Sequence, residues 1–299
     1  MTSGILFVDK PIGPTSHRVV GVARKALGLK KIGHAGTLDP MASGLMTLGV
    51  GPSTRLLTFL VGLNKTYQAT ISLGQATITD DADGEAVGPQ ATASQLDALD
   101  PDTIREALLG FVGDISQKPS AVSAIKVDGE RAYDLVRRGV DVELKARPVT
   151  VHGITVDSVD RGESDWSIRC EVRCSSGTYI RAIARDVGEK LGVGGHLTAL
   201  RRTMVGPWSV EQAIDPDNIS AQHLVDPATI ISQVLPTLSV DKPTEDALSH
   251  GKKIRLPGAP DVDDDQPVAV IGVNHQLVAI VSGVSGVVRI LVGFQAGGN

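Results

Sequence analysis

Seven runs rich in β-branched residues recur along the chain without a regular strand–helix–strand alternation. That pattern narrows the possible folds more than any other feature. The runs are Ile5–Val8, Tyr67–Leu73, Val149–Val156, Trp166–Cys174, Val268–Val273, Leu277–Val281 and Val287–Phe294. Helical patterns fall between them. Thr15 is placed to cap one that continues through Val22 and Leu27. Asp102–Phe111 forms a second, and Tyr179–Leu191 a third, with Ile180, Ile183, Ala184, Val187 and Leu191 on one side. The expected class is therefore α+β, built on a mixed or antiparallel sheet. At 299 residues there is room for one large domain and a small one. A boundary is expected near Leu235-Pro236, giving domains 1–235 and 236–299. The second is dense in Gly, Val and short strands, which suits a small β-barrel-like module. Residues 117–148 mix seven basic side chains with five acids and scattered Gly and Ser, and read as an exposed insertion.

The segment Gly33-His34-Ala35-Gly36-Thr37-Leu38-Asp39-Pro40-Met41-Ala42-Ser43-Gly44 is read as a shaped loop and not as helix or strand. Its glycines permit positive φ and close approach of a ligand to the backbone. Pro40 fixes its own φ and biases Asp39 toward an extended conformation, so the carboxylate is held at a defined angle. A His and an Asp at this spacing fit metal ligation, a catalytic pair or a turn-stabilising hydrogen bond. No further ligands stand near enough to favour a metal, and none is expected. No G-x-S-x-G elbow or phosphate-binding Gly-Lys-Ser/Thr occurs.

The net charge of −5 is unevenly spread. Residues 1–67 hold Lys10, Arg18, Arg24, Lys25, Lys30, Lys31, Arg55 and Lys65 against Asp9 and Asp39. Residues 173–202 hold Arg173, Arg181, Arg185, Lys190, Arg201 and Arg202 against Asp186 and Glu189. Segregation of this kind gives an acidic protein a positive face suited to a polyanion. Cys170 and Cys174 alternate with Ile168 and Val172 on one strand face, too far apart for a disulfide, and read as buried thiols. No apolar run approaches the ~20 residues of a membrane span, and the N-terminus lacks a signal-peptide pattern, so a cytoplasmic protein is expected.

The signature GHAGTLDPMASGLMTLGVG resembles the motif loop of the TruB-type tRNA pseudouridine synthases. Further segments match in order: Asn64-Lys65-Thr66-Tyr67, the Thr/Asp-rich Gly74–Gly84, and Ser123–Lys126 with Gly129, Arg131 and Tyr133. Ser176-Gly177-Thr178-Tyr179-Ile180-Arg181 and Gly195–Leu197 through Leu200-Arg201-Arg202 follow. Thr77-Ile78-Thr79 and Pro119-Ser120 depart from the family pattern, which often has Thr-Asp-Thr and two prolines there.

The resemblance implies isomerisation of uridine 55 in the tRNA T loop to pseudouridine, without a cofactor and with the T stem-loop as partner; a monomer is expected, though the sequence leaves the oligomeric state open. It also implies a PUA-like RNA-binding module in residues 236–299. Asp39 would act at C1′, Tyr67 would stack on the flipped base, and Arg181 would orient Asp39. Tyr179 would take the C5 proton or wall the pocket. His34, Lys65, Lys126, Leu200, Arg201 and Arg202 are the expected substrate contacts, Lys126 within the RNA-gripping insertion, and apart from that role Leu200 reads as plain helix core. Two other classes remain: a non-catalytic tRNA-binding protein or folding chaperone, and a carboxylate-dependent nucleoside hydrolase. The hydrolase would need a second acid near Asp39.

Overall fold

The structure is a computed structural model and describes residues 2–120, 126–127, 130–131, 145–256, 258 and 261–294. In chain order the principal elements begin with β1 (Gly4–Lys10), α1 (Ser16–Leu27), β2 (Ile32–His34) and β3 (Ala42–Val50). They continue with β4 (Lys65–Leu73), α2 (Pro101–Leu109), β5 (Gly113–Gln117), β6 (Arg147–Arg161) and β7 (Trp166–Cys174). The remainder are α3 (Ile180–Lys190), β8 (Gly195–Val205), β9 (Thr237–Ser239), α4 (Lys242–Ser249), β10 (Val268–Ile271), β11 (Leu277–Ser282) and β12 (Arg289–Gly293). They group into two compact units. One is Met1–Asp39, Leu45–Val61 and Gly206–Asn299; the other is Pro40–Gly44 and Gly62–Val205.

In the first unit, β1 is apolar on both faces, and Ile5, Leu6, Phe7 and Val8 are all buried. The returning chain adds to it, with Ile5 and Val225 exchanging backbone hydrogen bonds of 2.9 and 2.8 Å. Helix α1 starts at the expected hydroxyl: the Thr15 side chain accepts from Arg18 N. It ends at Gly28, whose φ of 65° supplies the left-handed cap. Its buried stripe is Ser16, Val19, Val20 and Ala23. Strand β2 is antiparallel to the end of β3, with Gly33 opposite Gly49 and His34 opposite Leu48. The C-terminal residues form a four-stranded sheet ordered β9-β10-β11-β12. Val268, Val270, Val278 and Val281 pack there with Leu248 of α4.

In the second unit the strand order is β3-β8-β4-β7-β6-β5. Ala42–Gly44 run parallel to Leu200–Arg202, whereas β4 is antiparallel to both β8 and β7. The sheet is thus mixed and the class α+β, as the sequence pattern predicts. Ile168, Cys170, Val172 and Cys174 are all buried on one face of β7, and both cysteines are free thiols. Helix α3 buries Ile180, Ile183, Ala184 and Val187. It comes so close to the following turn that a Cβ on Gly188 would lie 2.2 Å from the Gly194 carbonyl carbon.

Three local expectations are revised. Gly33-His34 and Ala42–Gly44 belong to strands, which confines the loop to residues 35–41. Residues 195–205, whose Leu200 otherwise reads as helix core, form the long strand β8, because β4 and β3 flank it and satisfy its backbone. Gln117 and Pro148, the expected ends of the insertion, are paired in β5 and β6. Lys126–Val127 pairs with Glu130–Arg131, but their side chains, like all of Gly129 and Tyr133, lie outside the described residues.

Candidate active site

The first unit holds two of the expected site residues, His34 and Asp39. The loop between them is pinned at both ends. Ala35 N donates to Thr47 O at 2.9 Å, and Leu38 is buried with both backbone groups on one hydroxyl. Ser16 Oγ donates to Leu38 O at 2.9 Å and accepts from Leu38 N at 2.8 Å. A buried serine in the first turn of α1 therefore fixes the residue immediately before Asp39, and Pro40 restricts the bond that follows. Asp39 itself is half-buried. The His34 ring meets the edge of His17 at 5.6 Å between centroids.

The second unit holds Lys65, Tyr67, Tyr179, Arg181, Leu200, Arg201 and Arg202. Cross-strand register places Tyr67 opposite both Val172 and Arg202, and Leu200 opposite Ala69. Directly opposed residues share a face, so Lys65, Tyr67, Leu200 and Arg202 lie together, and Arg201, beside Gln68, lies on the other face. Arg201 Nη1 is 3.4 Å from Ser43 Oγ.

Lys65 and Arg202 are buried cations on an otherwise apolar face. Lys65 Nζ donates to Leu63 O at 2.6 Å and to Ser176 Oγ at 3.1 Å. Burial, and then the nearby Arg202 charge, push its pKa down to about 8, so it remains mostly protonated at neutral pH. Its fixed ammonium ties the entrance of β4 to the loop before Tyr179.

Tyr179 is the N-cap residue of α3. Its backbone is held by a reciprocal pair: Tyr179 N donates to Gln117 Oε1 at 2.7 Å, and Gln117 Nε2 donates to Tyr179 O at 2.9 Å. Arg181 Nη1 donates to Thr79 O at 2.8 Å and to Asp81 Oδ2 at 3.0 Å. Both side chains of that ion pair are more than nine-tenths buried. Asp81 is oriented in turn by the Thr79 hydroxyl and by Asp83 N, both on Oδ1. Two charges taken from water need such satisfied lone pairs to persist together.

Ser16, Asp80, Asp81, Gln117, Ser120 and Arg185 support the expected site residues without carrying a site role in the motif reading, although Asp80 and Asp81 fall inside its Gly74–Gly84 segment. The Thr/Asp run at 77–84 and the four-residue spacing of Arg181 and Arg185 were the available signals. Among the described residues, no cluster of three or more His, Cys, Asp and Glu is placed to hold a metal ion. No helix among them is long and apolar enough to cross a membrane.

The profile described as "TruB family pseudouridylate synthase (N terminal domain)" matches residues 24–180, a span that includes the pinned carboxylate loop. The chain belongs to the TruB family. The profile "tRNA pseudouridylate synthase B C-terminal domain" matches residues 181–240. A protein of Arthrobacter sp. (strain FB24) named tRNA pseudouridine synthase B is 47% identical over 295 residues, covering 96% of this chain and 94% of the relative. One of the same name from Thermobifida fusca (strain YX) is 44% identical over 291 residues, covering 96% of both chains. Among solved structures, one titled "Crystal Structure of a Cbf5-Nop10-Gar1 Complex" contains a chain that superposes with a TM-score of 0.71 at 26% identity. The match covers 99% of this chain and 84% of that one. This TruB-family enzyme is thus a pseudouridine synthase, with the family's mixed α+β fold.

Proposed function

We propose that the enzyme isomerises the T-loop uridine of tRNA, with the T stem-loop as its partner, acting as a cytoplasmic monomer without a cofactor. The observation that carries the substrate class is near-full-length similarity to relatives named tRNA pseudouridine synthase B. In this reading Asp39 is the catalytic residue. It acts at C1′, by attack on the sugar carbon or by removing a proton to give a glycal. Uracil is released with the N1–C1′ electrons, turns in the pocket and bonds through C5, whose proton is then lost.

Flipping the uridine out of its stack costs a few kcal/mol, and a ring stacked on the base returns about 1–3 kcal/mol. Tyr67, buried on β4, is assigned that platform, and Leu200 the apolar wall. Tyr179 is assigned to the C5 proton or the pocket wall, and Arg181 to orienting Asp39. His34, Lys65, Lys126, Arg201 and Arg202 are assigned to the substrate, Lys65 and Arg202 supplying positive potential from within because they are buried. Residues 236–299 are assigned as a PUA-like RNA-binding module after a catalytic domain of residues 1–235.

The test is tritium release from C5-tritiated uridine in an unmodified T-arm RNA, with no metal or nucleotide added. Release supports the reading. Tight binding without release would identify a tRNA-binding chaperone instead.

Two further outcomes are expected. Arg181→Ala removes a charge-assisted contact worth about 1.5–3 kcal/mol, so single-turnover tritium release should slow by about 10–100-fold. A wild-type rate would refute its role. The RNA affinity should fall about a hundredfold between ~50 and ~200 mM salt if about four phosphates are gripped. A flat salt response in a filter-binding titration would contradict the basic face.

A further inference from the structure

Asp80 has φ of +59°, a left-handed conformation uncommon outside glycine, and is buried. Consecutive side chains on an extended segment point to opposite sides. The turn at Asp80 instead sends two adjacent carboxylates toward one helix. Arg181 and Arg185 stand one turn apart on α3, and Asp81 takes the first while Asp80 takes the second, each at 3.0 Å. Backbone strain of this kind persists only where the surroundings enforce it.

Arg185 does more than pair with Asp80. Its Nη2 donates to Lys118 O at 2.9 Å and its Nε to Asp186 Oδ1 at 2.8 Å. The Ser120 hydroxyl lies 2.6 Å from Asp80 Oδ2 and 2.9 Å from Thr79 O. Gln117 is thus tied to Tyr179 at the cap of α3, Lys118 to Arg185 within the helix, and Ser120 to the Thr79-Asp80 turn. This short segment is the start of the insertion, residues 117–148, that the sequence predicts. Burial pushes the Asp80 carboxyl above its ordinary range, while Ser120, Arg185 and Arg181 pull it back.

We propose that Asp80 is a positioning residue for the reaction. Its carboxylate joins Arg185 and residues 117–120 to the helix face that presents Arg181, so the root of the insertion and the arginine are set by one joint. The inference rests on the reading that Arg181 serves the chemistry.

The experiment uses the full chain and single-turnover tritium release at saturating T-arm RNA, with Kd and melting temperature measured alongside. Asp80→Asn keeps the shape and tolerates the left-handed conformation, but removes the charge. It should turn over about tenfold more slowly, with Kd within about threefold of wild type. Arg185→Gln should behave alike, and the double variant should be no slower than the slower single, because both break one joint. A wild-type rate in Asp80→Asn, losses that multiply in the double variant, or a lowered melting temperature with an unchanged rate would each overturn the proposal. Arg181→Lys separates the two readings. If it turns over normally, the assignment of Arg181 fails. If it is slow while Asp80→Asn is fast, only the role of Asp80 fails.

Discussion

Asp39→Asn is expected to release no measurable tritium from the labelled T-arm RNA while binding it within about tenfold of the wild-type affinity. Asparagine is nearly isosteric, so the anchoring of the loop survives: Ser16 still holds both backbone groups of Leu38. What disappears is the single acid of the signature loop, and with it any nucleophile or base at C1′. Enzymes of this kind supply many kcal/mol of barrier reduction, each 1.36 kcal/mol being tenfold in rate. Losing the reacting group should therefore remove most of it. Binding depends on phosphate contacts spread over other residues and should persist. Tritium release at a rate within tenfold of wild type would dismiss Asp39 from the chemistry.

The second large effect is on the fold. At Gly44 the backbone φ is +107°, and an added Cβ would lie 2.2 Å from the Arg202 carbonyl oxygen and 2.7 Å from its nitrogen. Both neighbours are main chain in the parallel pairing of β3 with β8, so neither can step aside without opening the ladder. Gly44→Ala incurs about 1–3 kcal/mol for the unfavourable φ and about as much again, or more, for overpacking. The sum is a large share of a typical folding stability. A drop in melting temperature of about 10 °C is expected, together with loss of turnover, since Leu200 and Arg202 are displaced with the strand. A melting temperature within about 2 °C of wild type would show that the strands separate easily there.

Much of this architecture is written locally in the chain. The Thr15 cap, the alternation through Ile168–Cys174 and the apolar side of 180–187 each depend on spacing within one element, and spacing is what a sequence displays. Strand β8 was not legible, because His196, Thr198, Arg201 and Arg202 interrupt its apolar residues. Its identity is decided by the two strands that flank it. The loop 33–44 shows the same limit. Its glycines signal turns and close approaches equally, and only pairing with Gly49 and Arg202 decides which residues extend. Within the candidate site the motif residues stood out, but their supports did not. Asp80, Gln117 and Arg185 are ordinary polar residues until distant segments fold against them.

The two cysteines have a practical consequence for anyone wishing to watch this molecule work. Burial pushes Cys170 up to about 12 and Cys174 up to about 11, so at neutral pH neither presents the thiolate that alkylating dyes attack. The native chain is thus close to chemically silent toward maleimides. A single cysteine placed on an exposed position would accept a fluorophore by itself, without first stripping thiols from the core of β7.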